Sequence, residues 1–361
     1  MIMQWCAACA SGSGGWSRRQ FLIALGQASL AVGLAPGSGR AYTVMDETTD
    51  VKIGREADPE ILKQFGYYDS PDLQNYVAQV GQRLTATADT RFSFQFKVVD
   101  QAYINAMALP GGFIYMTRGM LAELNDEAQL SGILGHEMTH VNSRHGAKLL
   151  TKALGAQLAT LIGVGAAAAT GSGSAISGVA MISNHITNYM LLVYGRDYEL
   201  EADEVGLRYS HRAGYDPRRM VTFLRALRRN EILRGQSTYH GFEATHPDTA
   251  IRIAKADTMA NLLVSEGGAL EVKADNYKAH LDRLKYGEAK EQLSLRVYTV
   301  KAGDTLASIA REEIGDEGHR FQLASLNGLR DDAALTPGSR LKLVVKTTPG
   351  SRLDLIIQEK K

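Results

Sequence analysis

At 361 residues, 45% hydrophobic and 22% charged, the chain has the make-up of ordinary globular protein and enough length for roughly two or three domains. Its 40 basic residues against 39 acidic ones supply no bulk charge for gripping a polyanion, so no nucleic-acid partner is expected. Two cysteines, Cys6 and Cys9, cannot make a disulfide framework.

Near the N-terminus, Ser17-Arg18-Arg19-Gln20-Phe21-Leu22-Ile23 leads into an uncharged run over 21–35 and then small residues before Ala41. That run is too short for an ordinary spanning helix. The arrangement resembles a twin-arginine signal, which implies export of an already folded protein across a bacterial inner membrane. A signal peptide over 1–41 and a periplasmic product are expected; a membrane anchor that stays uncut is the other reading, and both export the chain. Cys6 and Cys9 lie upstream of the arginine pair, so the mature chain is expected to hold no cysteine. Their place before the apolar run argues against a lipoprotein.

Further along, the spacing predicts a helix over 70–84, then a half-buried strand through Phe92, Phe94, Phe96 and Val98, and a second strand over 112–117. Between the strands, an apolar stretch from Asn105 runs into the turn residues Pro110-Gly111-Gly112 and reads as an edge strand. A helix should start near Asn125 or Asp126, because Asp126 and Gln129 make a capping box and Leu130, Ile133, Leu134 and Val141 an apolar stripe. The segment 153–184 carries no charge. It reads as a membrane-inserted piece or, because glycines interrupt it, as a helical hairpin or lid. A charged helix follows over 198–212 and stops at Gly214; Asp216 and Pro217 start the next, with Met220, Phe223, Leu224 and Leu227 as its buried stripe.

The chemistry concentrates at His136-Glu137-Met138-Thr139-His140. Two histidines four apart on a helix are about 40° apart around its axis and about 6 Å along it, so both imidazoles can reach one metal ion. Glu137 can then take a proton from metal-bound water, whose pKa the metal lowers to about 7. A third ligand is required. Tyr198-Glu199-Leu200-Glu201-Ala202-Asp203 offers Glu199 as ligand and Asp203, on the same helix face, as the partner that orients a ligating histidine, while Glu201 points elsewhere. Taken without the histidine motif, these acids would be a solvated helix face.

In this order the motifs resemble the HtpX-like and CAAX-prenyl-protease-like zinc metallopeptidases, gluzincins, and within them the soluble periplasmic branch. The resemblance covers roughly residues 46–260 and rests on 105–112, His136 to His140, Arg144-His145, Glu199 to Asp203 with Gly206, and His246-Pro247 with Arg252. It implies one Zn2+ per chain on His136, His140 and Glu199, Glu137 as general base, and Asp203 as support. It also implies that Asn105, Ala106, Met107, Ala108 and Leu109 offer a strand edge to an extended substrate. His246 and Arg252 match positions at the zinc cleft, where the histidine either stabilises the oxyanion or plugs the open metal position. His145, His185, His211, His240, His280 and His319 are expected to be structural or exposed.

Beyond a helical linker over 266–295, Tyr298-Thr299-Val300-Lys301-Ala302-Gly303-Asp304-Thr305-Leu306 begins as a strand and turns into a helix. Leu326-Asn327-Gly328-Leu329 then makes a turn, and Pro337-Gly338-Ser339-Arg340-Leu341 leads into a closing strand. This outline over 296–345 resembles a LysM module, which implies binding to peptidoglycan; a spacer or protein-contact domain is the alternative. A tail over 346–361 completes the chain. The expected fold is therefore α+β: a mostly helical zincin-type domain over 46–265 with a small edge-strand sheet, plus a small βααβ domain. The expected function is zinc-dependent hydrolysis of misfolded or stalled cell-envelope proteins, with an assembly factor that rarely cuts as the rival. Membrane association would come through 153–184 or an uncleaved signal.

Overall fold

The computed structural model describes residues 46–149, 194–234, 242, 245–246 and 249–347. The expected signal peptide, the uncharged segment over 153–184 and most of the tail lie outside them. Among the described residues no helix is long and apolar enough to cross a membrane.

Helix α1 (Glu47–Phe65) starts where the Asp46 carboxylate accepts from Thr49 N–H at 2.7 Å, and α2 (Pro71–Thr85) has its proline in the first turn. Three strands follow: β1 (Gln95–Val99), β2 (Ala106–Leu109) and β3 (Phe113–Thr117). β3 is central, parallel to β1 and antiparallel to β2, so β2 is an edge strand as its sequence predicts. A short helix α3 (Arg118–Glu123) leads to α4 (Glu127–Asn142).

Asp126 caps α4 by accepting from Gln129 N–H at 2.8 Å, but the Gln129 side chain reaches one residue further back, to Asn125 N–H at 2.6 Å. The expected stripe of Leu130, Ile133, Leu134 and Val141 is buried, and so is every other residue from Glu127 to Val141. A helix enclosed on all sides cannot show a one-sided apolar pattern. It is enclosed by β2, α2, α5 (Arg196–Arg212) and α6 (Arg218–Arg234), and α7 (Thr249–Ser265) packs outside α5 and α6. The α4–α5 crossing is very close: a Cβ on Gly135 would lie 2.8 Å from Gly206 O, and one on Gly206 would lie 2.7 Å from His136 N. Ile133, Leu134, Met138, Leu207, Phe223 and Leu224 belong to the single large core around this crossing.

After α8 (Ala274–His280), strands β4 (Lys285–Tyr286), β5 (Leu293–Thr299) and β6 (Arg340–Lys346) form a second sheet in the order β4-β5-β6. Between β5 and β6 the chain makes α9 (Leu306–Ile309), which runs into a wide turn at Ala310–Ile314, and then α10 (Arg320–Leu326). Val300, Leu306, Ile309, Leu323, Leu341 and Leu343 make a separate small core, so the unit is βααβ with its own interior.

This unit is bonded directly to the larger body. Lys342, fully buried, donates to Ala122 O at 2.6 Å and Leu124 O at 2.7 Å, at the C-terminal end of α3. Arg340 donates to Asp275 O at 2.8 Å, and Arg118 to Gly287 O at 2.8 Å. Burial pulls the Lys342 ammonium down to about 7. An unfolded lysine titrates near about 10.4, so folding releases this proton between the two values, and stability rises with pH across that window. Lys342→Met should remove this rise in chemical denaturation series from pH 6 to pH 10. It should also cost about 1–3 kcal/mol, because the two carbonyls lose their donor.

Candidate metal centre

The Gly135–Gly206 contact sets α5 against the His136 turn of α4, and the ionisable groups of the two helices meet there in a buried cluster. His136 Nε2 lies 3.1 Å from His140 Nε2 and 3.5 Å from Glu199 Oε2, and His140 Nε2 lies 3.3 Å from Glu199 Oε1. His246 Nδ1 comes to 3.2 Å from His136 Nε2 and 2.9 Å from Glu199 Oε1. All four side chains are buried.

These separations test whether the donors fit a metal. Bonds of about 2.0–2.1 Å in a tetrahedron put its corners about 3.3–3.4 Å apart. The two ring nitrogens of His136 and His140 are 3.1 Å apart, and Glu199 approaches them with its two oxygens, Oε2 at 3.5 Å and Oε1 at 3.3 Å. His246 Nδ1 stands at a fourth corner. The donor set, imidazole nitrogens with a carboxylate, suits zinc.

His136 is held by a carboxylate: its Nδ1 meets Asp203 Oδ1 at 2.9 Å. With Nδ1–H donating, Nε2 keeps a bare lone pair facing the cluster. Asp203 is gripped by Arg252, Nε to Oδ2 at 2.7 Å and Nη2 to Oδ1 at 2.8 Å. Burial alone would raise the Asp203 pKa, but the guanidinium outweighs it and holds the carboxyl at about 2. Arg252 Nη1 also donates to His246 O at 3.0 Å and lies 2.8 Å from Glu199 Oε2, there outside hydrogen-bonding geometry. Arg252 therefore meets carboxylates and a backbone carbonyl inside the protein and is itself buried.

Glu137 is buried beside the cluster, and its Oε1 has no hydrogen-bond partner and lies 3.6 Å from His246 Nε2. Burial raises the Glu137 pKa above the ordinary range. Burial would raise Glu199 too, but His246, His140 and His136 around it hold it well below. His140 is pushed well below the usual histidine range by burial, which keeps it neutral and able to act as a ligand.

The expected substrate strand lies beside these groups. Ala108 and Leu109 of β2 line one cleft with His140, Arg144 and Tyr194. Asn105, just before β2, is buried and bonded into β3 through Thr117, and Phe242 N–H donates to Ile104 O at 3.0 Å.

Four residues near the cluster escape the sequence reading. Tyr194 stacks on His140 at 3.9 Å between ring centres, and Phe242 stacks on His246 at 4.5 Å. His145, expected to be structural or exposed, is fully buried with Nδ1 3.0 Å from His140 Nδ1. Glu201, expected to point elsewhere, comes within 3.3 Å of His145 Nε2. The only signal for the last two was Arg144-His145 itself, whose geometry depends on how α4 ends.

A His-Glu-x-x-His helix crossed by a second helix that adds a glutamate defines a gluzincin-type metallopeptidase domain. The chain belongs to Peptidase family M48, whose family model matches residues 71–260, and the LysM domain model matches residues 298–313. It is 28% identical over 200 residues to the beta-barrel assembly-enhancing protease of Escherichia coli (strain K12), covering 54% of this chain and 40% of that protein. To the protein of the same name in Yersinia pestis it is 30% identical over 201 residues, covering 54% and 40%. To the mitochondrial metalloendopeptidase OMA1 of Schizosaccharomyces pombe it is 26% identical over 211 residues, covering 57% and 59%. The chain thus spans less than two thirds of the length of each of these relatives.

The glycine crossing generates a test. Gly206→Ala places a methyl group against the His136 backbone, and the helices must part. Expected are a loss of about 1–3 kcal/mol in denaturation, as for other overpacked cores, and weaker retention of metal in elemental analysis. Glu204→Ala, on the exposed side of the same helix, should leave both within about 0.5 kcal/mol and unchanged metal.

Proposed function

We propose that this chain is a zinc endopeptidase of the bacterial envelope, cleaving misfolded or stalled envelope proteins, with the βααβ unit holding it to peptidoglycan. The observation that carries the catalytic part is the convergence of one donor atom each from His136, His140, Glu199 and His246 within 4.8 Å of one another, with Glu137 Oε1 buried and without a hydrogen-bond partner. His136, His140 and Glu199 would hold the zinc. Zinc, when bound, polarises a carbonyl and acidifies a water so that it ionises near neutral pH.

The protein's own groups do the rest. Glu137 takes a proton from the attacking water and passes it to the amine of the broken peptide bond; its raised pKa suits that exchange. Asp203, fixed by Arg252, keeps the proton of His136 on Nδ1. The free edge of β2 binds the substrate backbone as an added strand, a mode that reads extended conformation more than sequence and suits unfolded clients. His246 points Nδ1 at the ligand triangle, which favours the plug over the oxyanion role: it holds the fourth corner at rest and withdraws for substrate.

Envelope clients are supported by the names of the bacterial relatives and by the LysM match, and the periplasmic address by the twin-arginine-like sequence at Arg18 and Arg19.

Purified protein should cut an unfolded protein substrate, lose this with a zinc chelator, and contain about one zinc per chain. Glu137→Gln should keep the zinc and lose cleavage. His246→Ala should raise cleavage; a fall in kcat of about 10² would assign the histidine to the oxyanion instead. No fragments under any of these conditions would sink the peptidase reading.

The wall-binding part is tested separately. Full-length protein should co-sediment with purified peptidoglycan almost equally at low and high salt, because sugar amides are gripped by hydrogen bonds and not by net charge. Failure to sediment at any salt would leave the unit as a spacer.

A further inference from the structure

A histidine that binds metal through one ring nitrogen needs a partner on the other to fix its tautomer and its aim. His136 has Asp203. Among the described residues, His140 Nδ1 is met not by a carboxylate but by His145 Nδ1, at 3.0 Å. Resting on the zinc reading above, we propose that His145 and Glu201 are positioning residues for His140, forming a carboxylate–imidazole–imidazole relay that ends at the metal.

The tautomers follow in sequence. On the zinc reading His140 Nε2, which faces Glu199 and His136, gives its lone pair to the metal, so its proton must sit on Nδ1. In a contact between two ring nitrogens one donates and the other accepts, so His145 Nδ1 is the acceptor. The proton of His145 is then on Nε2, which lies 3.3 Å from Glu201 Oε2, an ion-pair approach outside hydrogen-bonding geometry. The other oxygen of Glu201 accepts from Ser143 Oγ at 2.6 Å, which ties the carboxylate to the end of α4.

Local backbone geometry makes the contact possible. α4 stops at Asn142, and Arg144 adopts a left-handed conformation with φ 56°, held by its ion pair to the buried Asp50 at 2.5 Å. The chain therefore turns back and carries His145 under His140. On α5, Tyr198 and Glu201 are three apart and share a face, and both meet His145: the Tyr198 ring stacks on it at 4.3 Å and 19°. Glu199 and Asp203, four apart, serve the metal from the adjoining face. Ring stacking would account for a buried His145 that merely fills space. It would not account for a 3.0 Å contact between Nδ1 atoms on the side of His140 away from the metal.

The test uses the full chain and reads metal binding. Zinc affinity is measured by competition with a chelator, and ligand geometry by the visible spectrum of the cobalt(II)-substituted protein. His145→Phe keeps ring stacking and volume but removes the acceptor; affinity should fall about 10- to 100-fold and the cobalt bands should shift. His145→Asn restores an acceptor at the Nδ1 position and should recover most of both. Glu201→Ala, at a half-exposed position that tolerates substitution, should weaken zinc about 10-fold, the lower end of that range. A folded His145→Phe protein with wild-type affinity and spectrum would overturn the relay. If His145→Phe does not fold, unchanged zinc affinity in Glu201→Ala would overturn it just as well. Wild-type protein that takes up no zinc would instead overturn the metal centre itself, so the two failures are distinguishable.

Discussion

The contact between Gly135 and Gly206 governs the geometry of this protein. Two helices meeting backbone to backbone leave no room for even a methyl group, and the point of closest approach adjoins His136. Side chains within about two turns of that point then have a fixed separation: His136 and His140 from one helix face Glu199 and Asp203 from the other. Helices at the usual 8–10 Å would hold these groups too far apart to share one ion. Close approach also excludes water, and burial is what raises the Glu137 pKa and keeps His140 neutral. One steric constraint thus sets both the distances and the electrostatics.

Charge balance constrains the same cluster. Glu137, Glu199 and Asp203 are buried together, and Arg252 is the one permanently charged cation touching them among the described residues. Buried carboxylates without counter-charge are strongly unfavourable. Protonated histidines could supply the balance, but burial and mutual repulsion oppose charging several imidazoles within 3.1–3.2 Å of one another. A divalent cation bound by neutral imidazoles would remove both difficulties together.

Spacing rules made much of this legible in the sequence. The four-residue intervals of His136–His140 and Glu199–Asp203 placed each pair on one helix face, and Asp126 marked the start of α4. The Asn105 to Leu109 stretch read as an edge strand and is one. Periodicity carries no information where a helix stops, and the contact of His145 with His140 stayed hidden for that reason: five residues along a continuing helix is an angle of about 140°, whereas α4 ends at Asn142 and the chain turns at Arg144. Tyr194 and Phe242 are ring platforms for His140 and His246 only through long-range packing. Lys342 alternates correctly in a strand, but nothing local indicates that its ammonium caps α3 of the larger body.

Arg252 links the orientation of His136 to the placement of His246. One guanidinium holds Asp203, which orients His136, and also the backbone carbonyl of His246. Withdrawal of the His246 ring by rotation about its own side-chain bonds would leave all these hydrogen bonds intact, and with them the aim of His136. Withdrawal by moving the backbone would break the carbonyl bond to Arg252 and disturb the Asp203 clamp at the moment substrate arrives. Side-chain rotation is therefore the lower-cost path, and the Phe242 ring stacked on His246 at 4.5 Å is the surface it must slide from. The Phe242 backbone is bonded to Ile104 at the head of the edge-strand segment. One backbone hydrogen bond thus joins the residue that stacks on His246 to the segment leading into β2.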